Sequence, residues 1–425
     1  MSGKDAWDLT DKIRYALLGR RFNDALRYID EALKISNLPE LWVEKGYVYS
    51  NLGRYDEALK CYDEALKLDS NMVEAWNNKG FMLFHTGKYE EALECFAKAV
   101  EINPVNIYSL INMAETLCKL NRSEEAARCY DDVIRINPKI SRAWISKGRL
   151  LLEKGEVSEA LKCYERAVDE NPAETSAWLE TISALNKLGR RDEAKRYEKL
   201  MRINSKVFKL LSRGNYGGAV KTLNKLIHIA PNLPFAWRMK GITLMHMGEI
   251  SEALKCFDEA LKLKSEDITT LLYKGKIFIT YKRYGDAKKC FLKALKISRW
   301  DEGTLYGAGA ASFMLGEYDD ALKYIEEALR INSENYESLF IKAMLLAWCR
   351  EYEEMKLTIM KAYRLNNSKT IENLASITYE QMEKLNIKIN ITKCRKILCR
   401  AKTAIITYME NEAVKTITLK GCTHI

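Results

Sequence analysis

Four cysteines, Cys61, Cys95, Cys129 and Cys163, stand 34 residues apart, and each is followed by Tyr or Phe. The same pair returns at Cys256-Phe257 and Cys290-Phe291, again 34 apart. A chain that repeats at such a period is not built around one globular core. Each unit is one supersecondary element that buries its apolar face against its neighbours, so stability accumulates along the array. The length of 425 residues would otherwise suggest two or three domains. The repeat removes that expectation and predicts a continuous body that binds along a surface.

Charge and cysteine usage narrow the class. The opening Met-Ser-Gly-Lys-Asp-Ala-Trp leads into charged amphipathic sequence without an apolar secretory core. No apolar run approaches the roughly 18 to 20 residues that span a bilayer. A soluble cytoplasmic protein without a transmembrane segment is expected. Adjacent repeats stack at about 8 to 10 Å, whereas disulfides need Cα atoms within about 7 Å. The cysteine ladder is therefore expected to be reduced and buried. The formal charge of +10 comes mostly from interleaved acids and bases, as in Tyr55-Asp56-Glu57-Ala58-Leu59-Lys60. The exception is the segment 386–425, which carries eight Lys and Arg residues against Glu410 and Glu412.

Aligned on its own period, the chain opens its units with Trp42, Trp76, Trp144, Trp178 and Trp237. Lys-Gly follows three residues later at Lys45-Gly46, Lys79-Gly80, Lys147-Gly148 and Lys240-Gly241. Turn glycines come next (Gly53, Gly87, Gly155, Gly248, Gly316), then alanines such as Ala58 and Ala65, and the units close on Pro104, Pro138, Pro172 or Pro231. Trp42, Gly46 and Tyr49 share one face of a first helix, and the small residue admits a close second helix. Gly53 suits the left-handed residue that ends it. Ala58, Tyr62 and Ala65 recur at helical spacing on a second helix, after which proline starts the next unit.

This order of Trp, Gly, aromatic, Ala, aromatic, Ala and Pro over 34 residues resembles the tetratricopeptide repeat family. The resemblance implies an all-α fold, a right-handed α-solenoid (superhelix) of about ten to eleven helix-turn-helix units. Units are expected to begin near 39, 73, 107, 141, 175, 234, 268, 302 and 336, after a degenerate unit at 5–38. Between Ala194 and Ala219 the interval falls to 25 residues. The organisation read from this is an N-terminal block 5–205, a truncated repeat at 206–233 that would form a kink, a crowded turn or a hinge, and a C-terminal block 234–385. Residues 370–385 read as one more first helix. In the basic tail 386–425, a helical stripe from Lys393 to Tyr408 reads either as a capping helix or as a basic amphipathic segment for an anionic membrane surface or nucleic acid.

In the family, positions two, five, nine and twelve of each first helix line a concave groove. Here they are rich in apolar residues: Val43, Tyr47, Phe81, Phe84, Ile111, Ile145, Leu152, Leu179, Ile242, Met245, Leu272, Ile279, Tyr306, Phe313, Phe340 and Met344. Such side chains suit an amphipathic partner segment, or they pack on neighbouring helices. Arg149 and Arg238 stand among them as groove cations, beside Asn77, Asn112, Glu115 and Lys276. The best-known binding mode of the family is a clamp for a terminal carboxylate, built from Lys, Asn and Arg on three successive repeats. Asn112 and Arg142 occupy suitable places, but Asn77, Phe81 and Ser146 stand where other clamp residues are expected. The clamp is incomplete and lacks its paired cations. RNA-reading helical arrays use a 35-residue period and polar base-reading side chains, neither of which is present. Cys394, Cys399, Cys422 and His424 match no compact zinc spacing, and no phosphate loop, His-Glu-x-x-His helix or nucleophile elbow occurs. The sequence thus predicts a non-catalytic scaffold without cofactor or metal and without a small-molecule substrate, its partner a protein or peptide. Two readings of the terminal helix stand side by side: self-association, in which it fills an apolar groove of another chain, and folding back within one chain.

Overall fold

The computed structural model describes residues 3–349 apart from position 334, together with the isolated positions 354 and 358. The helix expected at 370–385 and the basic tail lie outside the described residues. Among the described residues there are twenty helices and no strand. The first helices of the hairpins are α1 (Gly3–Leu18), α3 (Pro39–Asn51), α5 (Val73–His85), α7 (Ile107–Lys119), α9 (Ser141–Glu153) and α11 (Thr175–Lys187). The same series continues with α14 (Pro234–His246), α16 (Ile268–Thr280), α18 (Glu302–Leu315) and α20 (Tyr336–Cys349). The second helices are α2 (Phe22–Ile35), α4 (Tyr55–Leu68), α6 (Tyr89–Ile102), α8 (Ser123–Ile136), α10 (Val157–Glu170) and α12 (Arg191–Leu211). They continue with α13 (Tyr216–Ile229), α15 (Ile250–Leu263), α17 (Tyr284–Ile297) and α19 (Tyr318–Ile331). From α3 to α20 the first helices start at the nine positions that the repeat predicts, and the helix count corresponds to about ten units.

Each signature residue has a visible task. The indole N–H donates to a carbonyl six residues upstream: Trp144 to Pro138 O at 2.8 Å, Trp178 to Pro172 O at 3.0 Å and Trp237 to Pro231 O at 2.9 Å. The closing proline and the opening tryptophan are thereby tied together at these three unit boundaries. The lysine of Lys-Gly reaches back to the preceding second helix, Lys45 to Asp30 at 2.7 Å and Lys79 to Asp63 at 2.7 Å. Turn glycines such as Gly53 adopt φ 73°. Where the glycine is missing, Asn121 and Lys282 take the same left-handed place at φ 58°, so the turn is fixed by the hairpin and glycine only makes it easier.

The glycine inside the first helix is there for space. A Cβ on Gly46 would lie 2.5 Å from Cε1 of Tyr62, a ring only 1% exposed. Gly46→Ala is therefore expected to destabilise by about 1 to 3 kcal/mol through overpacking, although alanine has the higher helix propensity. Gly217→Ala in α13, where nothing lies within 4 Å of the added carbon, is expected to stabilise by up to about 1 kcal/mol. Urea titrations of the two variants check the opposite signs.

The chain divides into two compact units, residues 1–263 and 264–425. The first holds α1–α15, and the described part of the second holds α16–α20. Residues 206–233 lie within the first unit. There α12 runs unbroken for 21 residues, carrying the second helix of one repeat into what remains of the first helix of the next. Val207, Ala219, Leu223 and Leu226 share one core with residues from Ile145 to Met239. No helix among the described residues is long and apolar enough to cross a membrane. The ladder cysteines Cys61, Cys95, Cys129, Cys163, Cys256 and Cys290 are free and buried.

Candidate functional site

In the first unit, the residues of α3, α5, α7, α9 and α11 that turn away from their second helices form the candidate face. Tyr47 and Phe81 remain 49% and 42% exposed. Phe84 is half-buried and held edge-on by His85 and Tyr89, at 5.6 and 5.4 Å between centroids. One turn further along the array, Asn77 Oδ1 accepts from Asn112 Nδ2 at 3.1 Å and from Ser109 Oγ at 3.3 Å. These two asparagines are thus partly occupied with each other, bracing α5 against α7.

Beyond them lies a recess of about 450 Å³. Phe84 and Ile145 provide its apolar lining, and Glu115, Cys118, Tyr130, Arg142, Ser146 and Arg149 its polar one. Arg142 pairs with Glu115 at 2.5 Å, and Arg149 with Glu180 at 2.8 Å. The arginine side chains are 66% and 55% exposed, so each pair contributes roughly 0 to 1 kcal/mol. Such contacts exchange readily with a ligand's own charges. The floor is chemically quiet. Burial raises the Cys118 thiol and the Tyr130 phenol above their ordinary values, which keeps both protonated as hydrogen-bonding groups. Among the described residues no cluster of His, Cys, Asp and Glu is arranged to hold a metal ion.

The residues expected along the groove are placed differently from one another. Phe84 and Arg149 meet at the recess, while Tyr47, Phe81, Asn77 and Asn112 lie on first helices α3, α5 and α7. Arg238 does not reach a solvent face: it is 3% exposed and its guanidinium donates to the carbonyl of Asp169. The shortened repeat brings α14 against α10 and draws this side chain inside. Met245 is half-buried. In the second unit Phe313 is 6% exposed within a core that includes Ile325 and Met344, with Tyr306 packed against it. Sequence reasoning missed Cys118, Lys119, Tyr130, Glu174 and Ser176 as lining residues. Tyr130 belongs to the periodic aromatic series of the second helices, which reads as core, and nothing in the spacing sets it apart.

A TPR repeat-containing protein of Methanocaldococcus jannaschii, MJ1428, is 26% identical over 69 residues, a match covering 16% of this chain and 12% of that protein's length. The crystal structure of MamA protein is 22% identical with a TM-score of 0.37, over 41% of this chain and 96% of its own. Yeast Tom70 is 12% identical with a TM-score of 0.38, over 92% of this chain and 99% of its own. The tetratricopeptide repeat pattern itself matches residues 43–107, 111–172, 145–199, 234–267 and 303–335. With those matches spanning just over half of the sequence, and with the Trp, Gly and Pro contacts that give the pattern its physical meaning, the chain belongs to the tetratricopeptide repeat family.

Proposed function

We propose that the protein is a non-catalytic scaffold that holds a peptide or helical segment of a protein partner along the exposed face of α3–α11. Membership of the repeat family supports an interaction scaffold in general. The observation that carries the finer reading is the recess beside Phe84 and Ile145, whose volume lies in the range of ligand sites. It offers an apolar seat for a side chain, ringed by ion pairs that a partner's polar groups can replace. The thiol and phenol in it are shifted away from reactivity, which supports recognition over chemistry.

The test is a pull-down from source-cell lysate at low and high salt. It compares the full chain, a Phe81→Gln/Phe84→Gln variant, and a truncation before Lys388. A protein partner retained at high salt and reduced at least about tenfold by the double substitution is the expected result, because buried aromatic anchors dominate such contacts. Recovery instead of nucleic acid or lipid, abolished by salt or by removal of the tail, would establish the basic segment 386–425 as the working site.

A further inference from the structure

A second stretch of the chain departs from the interleaving of charges. From Lys199 to Gly248 there are nine Lys and Arg residues and no Asp or Glu. Much of this charge is carried by α12. Lys195, Lys199, Arg202, Lys206 and Lys209 recur along the helix at intervals of four, three, four and three, and Arg213 follows four residues later in the turn that ends it. At 3.6 residues per turn the five helical positions fall within an arc of roughly 80°, opposite the side on which Ala194, Leu200, Asn204 and Val207 are buried. All six residues are exposed, and among the described residues none of them uses its side chain in an ion pair or hydrogen bond. Glu198, the last acid before the stretch, is half-buried and forms no ion pair with them.

Other second helices of the same array handle their charge differently. In α4, α6, α8, α10 and α15 a surface cation pairs with an acid three residues away, as Lys67 does with Glu64 at 2.6 Å and Lys162 with Glu159 at 2.6 Å. The corresponding pair of α12 is confined to its start, Arg190 with Glu193 at 2.6 Å. Like charges three and four residues apart work against a helix, so the row contributes nothing favourable to the fold. On α13, Lys221 and Lys225 are likewise exposed and four apart, with no ion pair among the described residues. The surface is therefore a rigid, unneutralised line of positive charge, mounted on a helix whose other side is fixed in the core with Tyr197, Met201 and Phe208.

We propose that the outer face of α12 binds the phosphate backbone of double-stranded DNA without regard to base sequence. Charge complementarity calls for a polyanion, and the composition of the row selects which one. A protein partner would draw its binding energy from apolar and aromatic anchors, and a helix lying on a membrane buries an apolar face in the lipid. The row has no such residue, and the apolar side of α12 is already spent in the core. Single-strand binders stack bases on aromatic rings, and duplex RNA is read partly through its 2′-hydroxyls; the row offers neither a ring nor a hydrogen-bond acceptor. A DNA backbone needs only cations, because displacing its condensed counterions supplies the affinity. From Lys195 to Lys209 the row is about 20 Å long at 1.5 Å per residue, a length over which one strand of the duplex carries about six phosphates. This surface is separate from the peptide-holding face of α3–α11, so the two inferences stand or fall independently.

The experiment titrates the full chain against a fluorescent DNA duplex of about 20 base pairs by anisotropy, between about 50 and 200 mM salt. Binding that weakens at least about a hundredfold over that range is expected. Lys199→Gln/Arg202→Gln/Lys206→Gln/Lys209→Gln, with unchanged helical circular dichroism, is expected to lose at least about tenfold at the lower salt and to show a shallower salt dependence. Lys199→Arg/Lys206→Arg/Lys209→Arg keeps the charge and is expected to keep the affinity. A full-length variant with Lys393→Gln/Arg395→Gln/Lys396→Gln/Arg400→Gln removes the same number of charges from the basic tail and is expected to lose clearly less. No binding of the duplex, or a loss in the tail variant equal to that in the α12 variant, would overturn the inference. So would tighter binding, at the same salt, of a single strand, of duplex RNA, of phosphatidylserine vesicles or of poly-glutamate.

Discussion

Trp178→Ala is expected to cost about 3 to 5 kcal/mol, the upper range for removing a large core side chain. The indole is 1% exposed, set edge-on to Phe235 at 5.7 Å and tilted against Tyr197 at 6.1 Å. Its N–H is also one of two donors on the Pro172 carbonyl, the other being Asn204 Nδ2 at 2.6 Å. Alanine therefore leaves a cavity at the place where α11, α12 and α14 converge. The half-buried Trp144 opens the preceding unit in the same role, and Trp144→Ala is expected to cost clearly less. Because long repeat arrays do not unfold as one two-state body, the measurement is amide exchange of α10–α14 alongside urea titration. Equal losses at the two tryptophans would show that the shortened repeat adds nothing to the burial of Trp178.

The second large effect is expected at Arg238. Its guanidinium donates to the Asp169 carbonyl, and the Asp169 carboxylate accepts from Phe235 N–H at 3.1 Å. Both side chains are buried, at 3% and 9% exposure. Arg238→Met keeps much of the apolar stem and removes the charge, leaving Asp169 in a dry junction. A loss of about 3 to 5 kcal/mol is expected, as when one member of a buried charged network is removed. Asp169→Asn/Arg238→Met should recover part of it, because the amide oxygen still accepts from Phe235 without leaving an uncompensated charge. A double-mutant cycle checks this, with a coupling above about 1 kcal/mol expected. Strict additivity would show that the two side chains act independently.

The fold was legible because its determinants are local and recurrent. Trp42, Gly46 and Gly53 each report a contact within their own hairpin or with its nearest neighbour, and a 34-residue alignment is enough to place nine helix starts. The site was legible only in part. Phe84 and Arg149 could be assigned to the exposed face from their register. Arg238 holds an equivalent register, yet it is buried because the missing helix turns changed which elements touch, a long-range effect that no periodicity reports. The recess is hidden for the opposite reason. Tyr130 keeps the pattern of a core residue, and its hydroxyl becomes part of a lining only through the side chains of α7 and α9.

The unbroken course of α12 also limits the length of the row of first helices along which the proposed partner would lie. Five consecutive first helices, α3 to α11, present their faces in series; then α12 continues through Leu211 and α13 follows without a full first helix of its own. With neighbouring first helices roughly 10 Å apart, that series spans on the order of 40 Å, which an extended chain crosses in about 12 residues. A helical segment would need more than twice as many residues for the same distance. On the proposed scaffold reading, the deletion inside one repeat would set how long a strip of partner α3–α11 can hold before the row of first helices is interrupted ahead of α14.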